Sequence, residues 1–129
     1  MTLAPLRHGV SGSPHLFGTA RTTAQNGPDI ITDGYRGIRA VVDITNIHAV
    51  TPELTITVQG KDDVSGKYFT LLASAALTAT GTTVLVVYPG CVAAANAVAN
   101  LPIPKVVRVI VAVADTDACT YTIGVELLP

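Results

Sequence analysis

The sequence predicts an all-β protein, an antiparallel β-sandwich of about seven or eight strands with at most one short helix. Apolar and polar residues alternate with a period of two across residues 38–45, residues 53–59 and residues 119–128, which places every second side chain on a buried face. Turn-forming pairs such as Asp33-Gly34 and Pro89-Gly90 separate the apolar runs, as is typical of sandwiches. One Ala-rich stretch, residues 91–100, suits either a helix or a loop that covers one end of the fold.

The strands follow from these patterns in chain order. Residues 16–25 are predicted to form the first strand, and residues 37–73 are predicted to form three consecutive antiparallel strands of one packed sheet,. Residues 82–88 are apolar on both faces, which predicts a central strand,. Residues 105–114 and 119–128 are predicted to form the last hairpin,. A jelly roll is the more specific variant of this sandwich, and a small closed barrel is the competing architecture.

The domain organisation is simple. A chain of 129 residues is long enough for one domain with its own core,. Residues 1–15 contain two Gly and two Pro but few apolar anchors, so we expect an extended N-terminal arm. Such an arm lies across a neighbour in an assembly or stays a loose tail in a monomer. Residues 16–129 are predicted to form the single sandwich domain.

Composition narrows the function classes. Charged residues make up 13% of the chain and hydrophobic residues 49%, whereas the usual charged share is about 25%. Thr, Ala and Gly fill the shortfall, which indicates a surface that largely faces protein; a soluble Thr-rich domain with a neutral surface is the alternative. A net charge of -1 argues against nucleic acid as a partner,. No apolar run reaches the roughly 20 residues of a membrane span. Residues 1–15 are predicted not to be a secretory signal, because they have no charged start followed by an apolar core,.

Candidate chemical sites are few. Asp62 and Asp63 lie in one predicted turn, and Asp115 and Asp117 lie in another. Neither pair has the spacing of a calcium loop, so we interpret them as turn-forming residues. His48 has no nucleophile beside it in any motif,. We therefore predict no catalytic residue, no metal site and no cofactor, and we expect that the protein is not an enzyme.

Cysteine and tyrosine positions bear on two further possibilities. Cys91 and Cys119 are far apart and form no CxxC motif, so they are predicted to be buried free thiols, with a disulfide only if the strands bring them together. Tyr68 and Tyr121 fall on the inward set of their strands. This assignment weakens the idea of a glycan-binding face, because only four Tyr side chains are present.

Several short segments carry a resemblance. They are VVDIT at residues 41–45, TPELTITVQGKD at residues 51–62, SGKY at residues 65–68, YPG at residues 88–90, and an LP pair that leads to Arg108. Together they resemble a group of small virion proteins of tailed bacteriophages, commonly encoded among head and connector genes. The resemblance covers residues 36–128.

The resemblance implies a β-sandwich that binds the assembled head, as a decoration or cement protein on the major capsid protein. Such a protein is made in the host cytoplasm, occupies the capsid exterior and associates with itself as a dimer or trimer. A tail or connector component is the alternative, followed by a host-binding or glycan-binding β-sandwich module.

The predicted interface is the outward set of residues 36–59. These side chains are polar with little charge, so we expect them to present one flat surface to a neighbour, with the two arginines pairing with acidic groups on a partner. The predicted interface residues are Arg36, Arg39, Asp43, Thr45, Glu53, Thr55, Thr57 and Gln59.

Overall fold

The computed structural model describes residues 13–16, 25–47, 54–113 and 119–129, and every regular element in these ranges is a β-strand. There are ten such strands, of which β2, β3 and β8 have two residues each. The strands are β1 (Ser13–Leu16), β2 (Gln25–Asn26), β3 (Ile30–Ile31), β4 (Gly37–Ile47), β5 (Leu54–Lys61), β6 (Tyr68–Ala73), β7 (Gly81–Val87), β8 (Val98–Ala99), β9 (Val106–Val113) and β10 (Cys119–Leu128).

The strands form two sheets that pack as a sandwich, which confirms the predicted fold class. Sheet A has the order β1-β10-β4-β7-β8, and sheet B has the order β2-β9-β5-β6, with β3 also beside β9. Neighbouring strands are antiparallel except for the pair β7–β8. The longest pairing joins β10 to β4 over ten residue positions with one irregularity.

Both sheets contribute their inward side chains to one hydrophobic core. Burying a Val, Leu or Ile side chain fully stabilises a fold by about 1.5–3 kcal/mol, so this core is the main source of stability. Its fully buried members include Ile38, Ala40, Val42, Leu54, Ile56, Leu85, Val87, Val107, Tyr121 and Ile123.

The alternation of residues 38–45 and 54–59 is confirmed, but the prediction that residues 37–73 form one sheet is wrong. β4 pairs with β10 and β7, whereas β5 pairs with β9 and β6. The predicted hairpin of β9 with β10 is wrong for the same reason, since the two strands belong to different sheets. Period-two alternation separates inward from outward side chains, and it carries no information about which of two sheets a strand joins.

β7 lies near the edge of sheet A and not at its centre. Among the described residues, the two-residue strand β8 is the one strand that lies beyond β7 in this sheet. The outward residue Val84 of β7 is 44% exposed. The second apolar face of β7 is therefore not covered by the described part of this chain. The apolar outer face of β7 predicts a central strand, but in the structure this face is exposed.

The structure also changes the prediction for residues 16–25. Leu16 belongs to β1 in sheet A and Gln25 to β2 in sheet B, so these residues do not form a single strand; residues 17–24 lie outside the described residues. Ser13 pairs with Val125, which starts the sandwich before the predicted boundary at residue 16. Residues 1–12 of the predicted arm lie outside the described residues.

Residues 91–100 adopt the loop alternative. Turns and the short strand β8 occupy this stretch, and no helix forms in it. Asn96 has a φ of 59°, a left-handed conformation that Asn tolerates better than most residues.

Candidate functional site

The predicted interface residues lie on opposite sides of the sandwich. Arg39 and Asp43 belong to β4 and face outward from sheet A, whereas Thr57 and Gln59 belong to β5 and face outward from sheet B. Their alternating neighbours on both strands enter the shared core. The prediction of one flat surface is therefore wrong, and two outer faces take its place.

We name these surfaces by the residues that form them. Face A consists of Arg39, Val41, Asp43 and Thr45 on β4, Thr82, Val84 and Val86 on β7, and Thr122, Gly124 and Glu126 on β10. Face B consists of Thr55, Thr57, Gln59 and Lys61 on β5, Tyr68 and Thr70 on β6, and Arg108, Ile110 and Ala112 on β9.

The predicted interface residue Arg36 belongs to neither face. Arg36 precedes β4 and is exposed, with its guanidinium carbon 5.4 Å from the centre of the Tyr88 ring. Glu53 lies outside the described residues.

Face A holds its charges in contacts within the chain. Arg39 forms an ion pair with Glu126, and its Nε donates a hydrogen bond of 2.9 Å to Glu126 Oε1. The hydroxyl of Thr82 lies 3.4 Å from Asp43 Oδ1 in a long hydrogen bond. The arginine that was expected to pair with a partner's acidic group therefore pairs inside the chain.

The centre of face A is apolar and shallow. Val41 stands opposite Gly124 on one side and Val84 on the other. A methyl group placed at Gly124 would contact nothing within 4 Å, so this position leaves open space beside the two valines. The result is a patch of β-branched side chains between the Arg39–Glu126 pair and the Asp43–Thr82 contact.

Face B carries a connected cluster of polar and aromatic side chains. The guanidinium carbon of Arg108 lies 3.5 Å from the centre of the Tyr68 ring, and Arg108 Nε donates a 2.9 Å hydrogen bond to Gln59 Oε1. The Tyr68 hydroxyl donates to Asp29 Oδ1 at 2.6 Å, and Lys61 Nζ donates to Asp29 Oδ2 at 3.3 Å. These contacts join β6, β5, β9 and the residue just before β3.

Tyr68 reaches this cluster because of a β-bulge. Val58 pairs with Leu72 but Gln59 pairs with Thr70, so Leu71 is the extra residue on β6. The extra residue reverses the alternation beyond it, and Tyr68 faces outward. The prediction that Tyr68 points inward is therefore wrong, whereas Tyr121 is fully buried as predicted.

Contacts within the cluster stabilise the charged forms of Asp29 and Lys61. The hydrogen bond from Tyr68, aided by Lys61, holds the pKa of the Asp29 carboxyl below its usual value. The hydrogen bond to Asp29 raises the pKa of Lys61 above its usual value. Both groups are thus charged at neutral pH. With Arg108 the cluster has two positive charges and one negative charge, which leaves a net charge of +1.

The sequence prediction missed Asp29, Lys61, Tyr68 and Arg108 as site residues. Arg108 had a signal, because it is the one charged residue in the apolar strand β9. Lys61 continues the outward set of β5. Asp29 had no local signal, since its contact with Tyr68 joins residues 39 positions apart.

Asp62 stabilises the turn between β5 and β6. Asp62 Oδ2 accepts hydrogen bonds from the Ser65 amide at 3.0 Å and from the Ser65 hydroxyl at 2.7 Å. These bonds lower the pKa of Asp62, and they confirm the turn-forming interpretation for this residue. Asp115, Asp117 and His48 lie outside the described residues.

Cys91 is a free thiol. Its Sγ lies 2.9 Å from the carbonyl oxygen of Tyr88, to which it donates. The alternative of a disulfide between Cys91 and Cys119 is therefore wrong. The side chain of Cys91 is half-buried, in part agreement with the prediction of a buried thiol.

An open apolar groove of about 490 Å³ lies beside β6. Its lining includes Phe69, Leu71, Leu101, Ile103 and Pro104, and it offers no cluster of ionisable groups. Across the described ranges, no three His, Cys, Asp or Glu side chains converge in a way that would hold a metal ion. No helix in the same ranges has the length and apolar character needed to cross a membrane.

No protein family matches the sequence, and no curated protein matches it. The function is therefore inferred from the fold, from the two outer faces and from the sequence resemblance.

Proposed function

We propose that the chain is a non-enzymatic virion structural protein of a tailed bacteriophage, a decoration or cement protein that binds the major capsid protein on the outside of the head. The observation that carries this proposal is the low charge of the two outer faces, where most of the charged side chains pair within the chain. On face A, Arg39 pairs with Glu126, and Val41 and Val84 form an apolar centre. Protein interfaces deplete charge at their centre in the same way.

The strand order supports the same proposal. When β3 and β8 are left out and β2 is kept, the remaining eight strands pair first with last, second with seventh, third with sixth, and fourth with fifth. The nested pairs are divided between two sheets. From this connectivity we infer a jelly roll. Jelly rolls occur in viral capsid, lectin and cupin domains. The support is an analogy of fold, which does not by itself assign a function.

A cement protein works by burying surface. When it lies across the junction between capsomers, separating the capsomers exposes the buried area to water again, so the bound chain opposes rupture of the head. Specific interfaces bury about 1,600 Å² in total, and a dimer or trimer of the chain multiplies the contacts that each site makes. No chemical step is required.

Particles made without this chain provide the test. We expect them to release their DNA at a lower temperature than complete particles, and we expect purified chain to restore the original release temperature. Purified chain that has been heat-denatured serves as the control. Equal release temperatures with and without the chain would contradict the cement function.

A glycan-binding module is the second candidate, and the outward position of Tyr68 favours it. Sugar rings pack on the open faces of aromatic side chains. However, Arg108 already covers one face of the Tyr68 ring at 3.5 Å. Saturation-transfer NMR with host surface glycans tests this candidate: it requires transfer to sugar protons from the wild type and a loss of that transfer in Tyr68→Ala.

A further inference from the structure

Arg108 is held in place by contacts on both of its sides. Gln59 accepts a hydrogen bond from its Nε, and Tyr68 lies under its guanidinium. Tyr68 is in turn fixed by Asp29, and Asp29 is fixed by Lys61. Side chains from β5 and β6 thus determine the position of the Arg108 side chain on face B.

The fixed guanidinium retains most of its binding capacity. Arginine has five N–H donors, and Gln59 is the one hydrogen-bond acceptor that the described residues supply to Arg108. A side chain that is already ordered loses less conformational entropy when a partner binds it. Arg39 on face A differs, because Glu126 already occupies its guanidinium.

We propose that face B is the surface by which the chain docks on the particle, and that Arg108 there receives a carboxylate, an Asp or Glu side chain presented by the capsid protein. This proposal rests on the proposed function. A carboxylate matches the planar fork of a guanidinium with two parallel hydrogen bonds. The net charge of +1 on the Asp29–Lys61–Arg108 cluster complements an acidic partner.

The residues around Arg108 suit an interface centre. Tyr and Arg are the side chains most often found at positions that dominate binding energy, and here they are stacked on each other. Thr57, Thr70 and Ile110 form neutral surroundings, and the Asp29 carboxylate nearby is already held by Tyr68 and Lys61. The same contacts also tie the strands of sheet B together, so the test must separate binding from stability.

The test measures binding of the purified chain to particles that lack it, at a temperature where circular dichroism shows every variant folded. We expect Arg108→Gln to bind at least about tenfold more weakly, the loss of roughly 1.4 kcal/mol, with a weaker dependence on salt. Thr57→Glu leaves the cluster intact and adds a negative charge to face B, so it should weaken binding. Thr57→Lys has similar bulk and should not weaken it. Arg39→Gln on face A is the matched control and should bind like the wild type.

The outcomes separate the two proposals. If the wild type binds while Arg108→Gln and Thr57→Glu bind equally well, face B is not the docking surface, and the proposed function stands alone. If Arg39→Gln causes the loss, face A docks and the inference is overturned. Equal losses in Thr57→Glu and Thr57→Lys would indicate a steric effect and overturn the carboxylate partner. Failure of the wild type to bind particles would overturn the proposed function, and this inference with it.

Discussion

The Tyr68 hydroxyl donates a 2.6 Å hydrogen bond to Asp29, although the two residues belong to opposite margins of sheet B. Tyr68 begins β6, whereas Asp29 precedes β3, which pairs with β9. Between them stand Lys61 and Arg108, one on each intervening strand. The Tyr68–Asp29 hydrogen bond therefore bridges the outer face of sheet B, and the Tyr68 ring contacts both Lys61 and Arg108.

This hydrogen bond predicts a pH dependence. The pKa of Asp29 lies below its usual 3.8, so the native state favours its ionised form. That contribution to stability is present above the unfolded pKa and is lost as the pH falls through the folded pKa. We expect ¹³C NMR to show Asp29 titrating below 3.8 in the wild type and closer to it in Tyr68→Phe.

Lys61 should affect the stability of the fold at alkaline pH. Its pKa lies above the usual 10.5, so its contribution is present below that value and disappears as the pH rises through the folded pKa. Tyr88→Phe is the control for both titrations, since it removes a hydrogen bond to the Pro129 carbonyl oxygen and leaves the cluster intact. A Tyr88→Phe change that moved the Asp29 pKa as far as Tyr68→Phe would contradict this assignment.

Ser74 extends sheet B beyond the end of β6 by two hydrogen bonds with Ile56, one of them from the Ser74 amide to the Ile56 carbonyl oxygen at 2.8 Å. The Ile56 amide donates to Ser74 Oγ at 3.0 Å, and the Ser74 hydroxyl donates to the Ala75 carbonyl oxygen at 2.8 Å. Ser74 is 6% exposed, so Ser74→Ala would leave a buried amide without a partner. We expect a loss of about 1–3 kcal/mol in the free energy of unfolding, measured by urea denaturation.

The control for this substitution is Thr78→Ala in the same connection. Thr78 is exposed, and exposed substitutions usually change stability by less than about 0.5 kcal/mol. If both variants were equally stable, the Ser74 hydroxyl would not be the partner that the Ile56 amide needs.

Gly60 leaves room for two rings at one end of the core. A methyl group at this position would lie 2.6 Å from Pro104 Cγ and 2.8 Å from Phe69 Cζ. The proline ring cannot turn away, so we expect Gly60→Ala to cost about 1–3 kcal/mol through overpacking. Thermal and urea unfolding report this loss.

Gly124→Ala is the matched substitution on face A, where a methyl group meets nothing within 4 Å. Replacing Gly where the backbone permits Ala stabilises a protein by about 0.4–1 kcal/mol. The two Gly→Ala variants should therefore change stability in opposite directions. A destabilising Gly124→Ala with a neutral Gly60→Ala would show that the packing at these two positions is wrongly assigned.

Local chemistry explains which parts of the fold were predictable. The inward residues of β4 and β5 follow from alternation, and the β5–β6 hairpin follows from the turn that Asp62 and Ser65 stabilise. Pro89-Gly90 ends β7 as expected, and Gly90 has a φ of 89°. Each of these features depends on residues that are neighbours in the chain.

Features that depend on distant residues were not predictable. Alternation gives β4 and β5 the same pattern whether they share a sheet or face each other across the core. The extra residue Leu71 reverses the direction of Tyr68, and no turn residue marks that bulge. The hydrogen bond from Arg108 to Gln59 joins positions 49 residues apart, so the cluster exists only once β9 and β5 are paired.

The location of the chain on the intact particle tests the central claim most directly. We expect an electron-microscopy map of purified particles to show density for the sandwich on the outer shell of the head, at local symmetry axes of the capsid lattice, and to lose that density in particles made without the chain. Density for the chain at the neck or the tail, with none on the shell, would contradict the decoration function.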